Sequence, residues 1–226
     1  MNKFVNGLLV LLAYFLLNLL IPTMLGVEIL EFLLNFVDSK FAAFALVNII
    51  FGVMTSIVII YLARKKLGQD AKEYKNNLVK NVLRTLSTFG LMYIAAIVCA
   101  GIMFAIGQNQ GSQNQEAIVT TFKEVPLLMA FLGVVIAPII EEITFRYGLR
   151  NMFKNDILFL VFASVSFGFI HVVQSADYIQ IIPYIGLGVV LSWSYLVHKN
   201  IYIVMITHAM FNGVSFIVQF FADKLI

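Results

Sequence analysis

Residues 125–152 read VPLLMAFLGVVIAPIIEEITFRYGLRNM, a run long enough to cross the hydrocarbon core of a bilayer as one helix, for which roughly 17–25 largely apolar residues suffice. Inside it stand two adjacent carboxylates, Glu141 and Glu142, followed by Arg146. A charged side chain at that depth costs at least ~2.5–3.5 kcal/mol on insertion scales, so the pair requires a partner or a use.

The rest of the chain makes a membrane the only sensible solvent. Of 226 residues 61% are hydrophobic and 12% charged, and the mean hydropathy is +0.95, outside the range of a soluble globular protein. About seven apolar stretches are long enough to span, at 4–26, 41–63, 86–107, 125–152, 156–175, 180–197 and 201–222. The expected fold is all-α, a polytopic transmembrane helix bundle of about seven spans. The first stretch, Phe4 to Val27, exceeds a signal-peptide core and lacks a small-residue cleavage site, so it is expected to stay as a signal anchor.

Seven of the fifteen Lys and Arg residues lie between Arg64 and Arg84. With the N-terminus inside, these seven join Lys3, Arg146, Arg150, Lys154 and Lys199 on the cytoplasmic side, against Lys40, Lys123 and Lys224 outside. The positive-inside rule therefore predicts a multi-pass integral protein with a cytoplasmic N-terminus. It also accounts for the basic segment without a nucleic-acid partner. The segment of about 20 residues after Arg64 reads as an interfacial helix or a lipid-facing basic turn. Gln108 to Glu124, with its run QNQGSQNQ, reads as a flexible outer loop. The single cysteine, Cys99, lies in an apolar stretch and can form no intramolecular disulfide.

Residues 1–124 carry almost no ionisable group at membrane depth, whereas 125–222 carry several. The chain thus divides into an N-terminal three-helix membrane region, 1–124, and a core, 125–226, where any chemistry should lie. At 100° per residue, Glu141, Glu142, Phe145 and Arg146 span about 140° of one helix, and Glu142 to Arg146 is an i,i+4 spacing. The guanidinium can neutralise one carboxylate, which leaves Glu141 as a general base able to take a proton from water. Pro138 lacks the N–H that would reach the carbonyl of Val134 and is expected to kink the helix and open a water pocket. FGFIH places Phe167 and His171 at i,i+4 on the fifth span, with Gly168 between them allowing close helix approach. HAMFN places His208 and Asn212 likewise on the seventh. At ~1.5 Å per residue, Glu141 lies ~17–18 Å from the cytoplasmic ends, His171 ~23 Å and His208 to Asn212 ~12–18 Å, so the fourth, fifth and seventh spans can bring them to one layer.

These motifs, EExxxR, FxxxH and HxxxN in order over about residues 125–215, together with the approach PIIEE and the Gly-rich span GLGVVLSW, resemble the CAAX protease and bacteriocin-processing family, also called the Abi family. The resemblance implies an intramembrane glutamate-type endopeptidase. In it Glu141 and His171 would hold and activate the attacking water, His208 and Asn212 would stabilise the oxyanion, and Glu142 and Arg146 would support the site. Phe145 and Phe167 are placed at the substrate pocket, Phe167 to shape it; both also read as packing residues. No cofactor is implied. Zinc is the alternative use of two Glu and two His, but no HExxH pairs them on one helix. His198, beside Lys199, fits no motif. The substrate would be a peptide or membrane protein in the lipid bilayer: a bacteriocin, a signal peptide or a CAAX-like tail, cleaved in a cavity expected to open toward the cytoplasm. The short chain resembles prokaryotic members, hence a prokaryotic cell membrane. Two other functions stand beside proteolysis. One is a noncatalytic adaptor or immunity protein acting on another integral membrane protein such as a sensor kinase. The other is a proton-coupled transporter, against which stands the lack of a paired inverted repeat.

Overall fold

A backbone in lipid must satisfy its own N–H and C=O groups, and an apolar run of this length does so only as a helix. The computed structural model describes residues 2–108 and 110–222, and among these there is no strand. Eight helices follow one another: α1 Lys3–Leu33, α2 Lys40–Asn76, α3 Leu78–Ala105, α4 Gln113–Glu124, α5 Pro126–Met152, α6 Asp156–Val172, α7 Ile181–His198 and α8 Ile201–Ala222. Six are long and apolar enough to cross a membrane: α1, α2, α3, α5, α7 with the turn before it, and α8. The apolar α6 is shorter at 17 residues. With it the bundle has about seven spans, as the hydropathy pattern predicts.

Up-and-down order puts the start of α1 and the α2–α3, α5–α6 and α7–α8 connections at one end, and side-chain bonds hold them there. Asn6 donates to the carbonyl of Leu62 at 3.1 Å and accepts from Tyr147 Oη at 2.7 Å. Asn200 donates to Glu73 Oε2 at 2.6 Å, Lys66 donates to the carbonyl of Lys199 at 2.7 Å, and Asp70 accepts from the Ile201 N–H at 2.9 Å. Eleven of the fourteen described Lys and Arg residues sit at this basic end. At the opposite end Gln180 donates to the carbonyl of Gln110 at 3.0 Å.

Two expectations change and a third is extended. The basic segment is neither an interfacial helix nor a turn. α2 runs on past its apolar part to Asn76 and α3 begins at Leu78, so the segment is a helical hairpin joined at Asn77. The outer loop is helical from Gln113: Ser112 caps α4 by accepting from the Gln115 N–H at 3.1 Å, an N-terminal device that the surrounding Gln and Asn residues conceal. Finally, Pro138 acts with two widened turns of α5, Phe131–Ile136 and Glu142–Gly148. The Ala137 N–H there reaches the carbonyl of Leu132, five residues back, a π-type bond of the kind that clusters at functional sites.

The core lies where α5 meets its neighbours. Ile143, Phe159, Leu191 and Val204 are fully buried, together with Val10 from α1, while large apolar side chains such as Ile57, Leu83 and Ile97 face outward, as lipid-facing residues should. A Cβ on Gly168 would stand 3.2 Å from the backbone nitrogen of Ile185, so α6 and α7 touch where the sequence predicted close approach.

Candidate active site

The wide turns of α5 decide where its polar groups point. Normally the Ala137 N–H would bond the carbonyl of Gly133, but it reaches back to Leu132 instead. Continued one residue on, the same five-residue pattern would bond that carbonyl from residue 138, and Pro138 has no N–H to give. The Gly133 oxygen, left without a helical donor, accepts from Asn212 Nδ2 of α8 at 2.8 Å. This bond uses one of the two amide hydrogens of Asn212 and leaves the other for a ligand.

In the second wide turn Glu142 and Arg146 are both fully buried and pair at 3.1 Å between Oε1 and Nη1. Nη2 of Arg146 donates to the carbonyl of Gly188 on α7 at 3.4 Å, and the guanidinium lies 4.5 Å above the ring of Phe167. Glu142 Oε1 also faces His208 Nδ1 at 2.8 Å, so one carboxylate oxygen joins α5 to α8. Glu141 points the other way. Its Oε2 stands 3.8 Å from His171 Nε2 and 3.9 Å from His208 Nε2, and is buried with no hydrogen-bond partner among the described residues. The structure thus brings together Glu141, Glu142, Arg146, His171 and His208, with Asn212 one turn of α8 beyond.

Phe167 is the hub of this cluster. Its ring meets His171 edge-on at 5.0 Å and His208 at 5.8 Å. Phe145 lies behind it, between Phe167 at 6.0 Å and Tyr14 at 5.4 Å. A cavity of about 240 Å³ is lined by Glu141, Phe167, His171, His208 and Asn212. Phe167 therefore lines this cavity, while Phe145, placed with it at the substrate pocket from the sequence, does not reach it. His198 ends α7 at the basic end, away from the cluster. Among the described residues no group of three or more His, Cys, Asp or Glu is placed to hold a metal ion.

Sequence reasoning missed the cavity's other wall. Tyr184 stacks on His171 at 4.5 Å with the rings 19° apart. Its hydroxyl bonds Ser112 Oγ at 2.8 Å and accepts from Asn114 Nδ2 at 3.1 Å. α4 then roofs the cavity with Asn114, Gln115, Ile118 and Val119. The available signal was depth: Tyr184 begins α7 at the level where α6 ends with His171. The cavity runs from the Glu/His cluster toward α4, and so opens at the end opposite the basic one. A basic cytoplasmic end and a cavity open to the cytoplasm, both expected from sequence, do not fit one orientation of this bundle.

Comparison with known proteins agrees with the geometry. The family model for type II CAAX prenyl endopeptidase Rce1-like proteins matches residues 123–214, which contain all three motifs. The membrane-embedded CAAX protease MroQ of Staphylococcus aureus is 30% identical over 174 residues, 73% of this chain and 69% of that protein. An uncharacterized protein of Mycoplasma capricolum is 28% identical over 74% of this chain and 54% of its own length. The putative membrane peptidase YdiL of Bacillus subtilis is 26% identical over 64% and 59%. The matched part thus spans little more than half of the latter two. No solved structure matches the chain. The chain belongs to the CAAX protease and bacteriocin-processing family, and is an integral membrane protein of a membrane-protease family.

Proposed function

We propose that the protein is an intramembrane endopeptidase in which Glu141 and His171 activate a water for attack on a peptide carbonyl. The observation that carries this reading is the placement of Glu141 Oε2 at 3.8 and 3.9 Å from two imidazole nitrogens on the wall of a cavity. That separation is too long for a direct bond. A water bonded at about 2.8 Å to both Glu141 and His171 would lie to one side of the line between them.

The charges beneath support the same assignment. Glu142, itself tied to Arg146, holds His208 at Nδ1 and so fixes the ring with Nε2 toward the site; in the proposed scheme that nitrogen carries the hydrogen offered to the substrate oxygen. As water attacks, its proton passes to Glu141 and the substrate oxygen becomes an oxyanion. His208 Nε2–H and the second amide hydrogen of Asn212 stabilise that oxyanion, a contribution of about 2.7–4 kcal/mol per donor in comparable sites. When the tetrahedral centre collapses, the C–N bond breaks and the proton returns from Glu141 to the departing amine. No acyl-enzyme forms, and the scheme uses no metal or cofactor.

The substrate in this proposal is a membrane-associated peptide or protein tail, and nucleic acid has no part. We place the N-terminus in the cytoplasm. Arg146 belongs to the site and Lys224 lies outside the described residues. The remaining basic residues divide eleven to two, with only Lys40 and Lys123 at the end opposite the basic one, which supports that orientation.

The test is a comparison of membrane-associated peptides in cells carrying the wild-type chain or Glu141→Gln. An uncleaved precursor should accumulate in the variant and disappear when wild type is restored. If Glu141→Gln and His171→Ala cells match wild type in both peptides and phenotype, the protein acts through partner binding and the proposal fails.

A further inference from the structure

We infer that the scissile segment reaches the site from the extracytoplasmic side of the membrane, so that the substrate class is a secreted or outward-facing peptide and not a cytoplasmic tail. The inference rests on the proteolytic reading above and adds the direction of access.

Two independent observations carry it. The first is the shape of the interior around Glu141. Toward the basic end the way is closed by the buried Glu142–Arg146 pair and by Ile143, Phe145 and Phe159, none more than 3% exposed. Toward the other end the cavity continues past His171 and Tyr184 to α4, and it reaches the exposed side chains of Gln115 and Ser215. An extended peptide can therefore approach the two histidines from the α4 end without displacing the core, and from the basic end only by breaking it.

The second observation is charge. Eleven Lys and Arg residues mark the closed end and two the open end, and basic loops are retained in the cytoplasm. The described carboxylates outside the site lean the other way: Glu28, Glu31, Asp38, Glu116, Glu124 and Asp177 lie at the open end, against Asp70, Glu73 and Asp156. The open end is thus outside. Its wall suits an apolar extended segment, with Ile118, Val119 and Met129 for side chains and the amides of Asn114 and Gln115 for main-chain groups. A tail confined to the cytoplasmic surface would meet the basic hairpin of α2 and α3 and no path inward.

Cysteine labelling tests the direction without any cleavage assay, so its failure is separable from failure of the protease reading. In a Cys99→Ala background, Glu116→Cys and Gln115→Cys mark the open end and Lys75→Cys the hairpin; all three positions are exposed. Intact spheroplasts are treated with a membrane-impermeant maleimide. The inference expects Glu116→Cys and Gln115→Cys to be labelled at least tenfold faster than Lys75→Cys, and the difference to vanish on permeabilisation. Labelling of Lys75→Cys from outside, whether alone or together with the α4 positions, overturns it.

Discussion

Arg146 is a fully buried cation whose bonds reach Glu142, the carbonyl of Gly188 and the face of Phe167, and those bonds set the cost of losing it. Arg146→Met leaves Glu142 with His208 alone, and breaking a buried pair from one side costs about 3–5 kcal/mol. The variant should melt well below wild type in detergent. Glu142→Gln combined with Arg146→Met should recover part of the loss, because the two changes couple. Arg146→Lys should fall between, since a lysine point charge cannot span all three contacts. Asn212 supports a second prediction. Asn212→Ala strands the Gly133 carbonyl, a penalty of about 1–3 kcal/mol. It also removes the proposed oxyanion donor, so kcat should fall about 10²–10³-fold while KM changes little. Steady-state kinetics of the purified variant, done below its melting temperature, separates the two effects. At this scale the sequence showed the pairs that lie on one helix, such as Glu142 with Arg146. It could not show the bonds between helices, His208 to Glu142 and Asn212 to Gly133, because those depend on how α8 is rotated against α5. A hydropathy pattern leaves that rotation free.

The helical elements were legible where apolar length alone decides them and illegible where a local device does. α5 reads as one span, but its wide turns depend on which carbonyl each N–H finds around Pro138, and that is settled by packing. α4 was hidden for the opposite reason. Its first turn is all Gln, Asn and Glu, and only the cap at Ser112 distinguishes it from a loop. That cap also bonds Tyr184, the residue stacked on His171. Ser112→Ala should therefore cost about 1 kcal/mol of local stability. Hydrogen exchange should then speed up through Gln113–Glu124 and leave α5 unchanged; exchange rates equal to wild type in α4 would contradict this account of the roof.

Across the whole molecule the sequence separates an apolar first region from a polar second one, yet in the structure α1 is built into the site's foundation. Val10 and Tyr14 are buried with Ile143, Phe145 and Leu149 of α5, and a Cβ on Gly7 would run into the carbonyl of Gly148. Gly7→Leu should force α1 off α5 and lower thermal stability by about 1–3 kcal/mol, as overpacking does; a melting temperature equal to wild type would show that α1 does not brace α5. The number of spans and the basic end were legible because both follow from composition. The direction of the cavity was not, because it depends on which end of the bundle the core fills.

In the proposed function this whole arrangement serves hydrolysis at Glu141. That proposal is tested most directly by incubating purified protein in nanodiscs with the membrane peptide fraction of the host cell in H₂¹⁸O, and following new ¹⁸O-labelled C-termini by mass spectrometry. Wild type should generate them, and Glu141→Gln, with its fold intact, should do so at least about 10²-fold more slowly, the lower bound for loss of a general base. The same termini appearing at the same rate with Glu141→Gln would contradict the account.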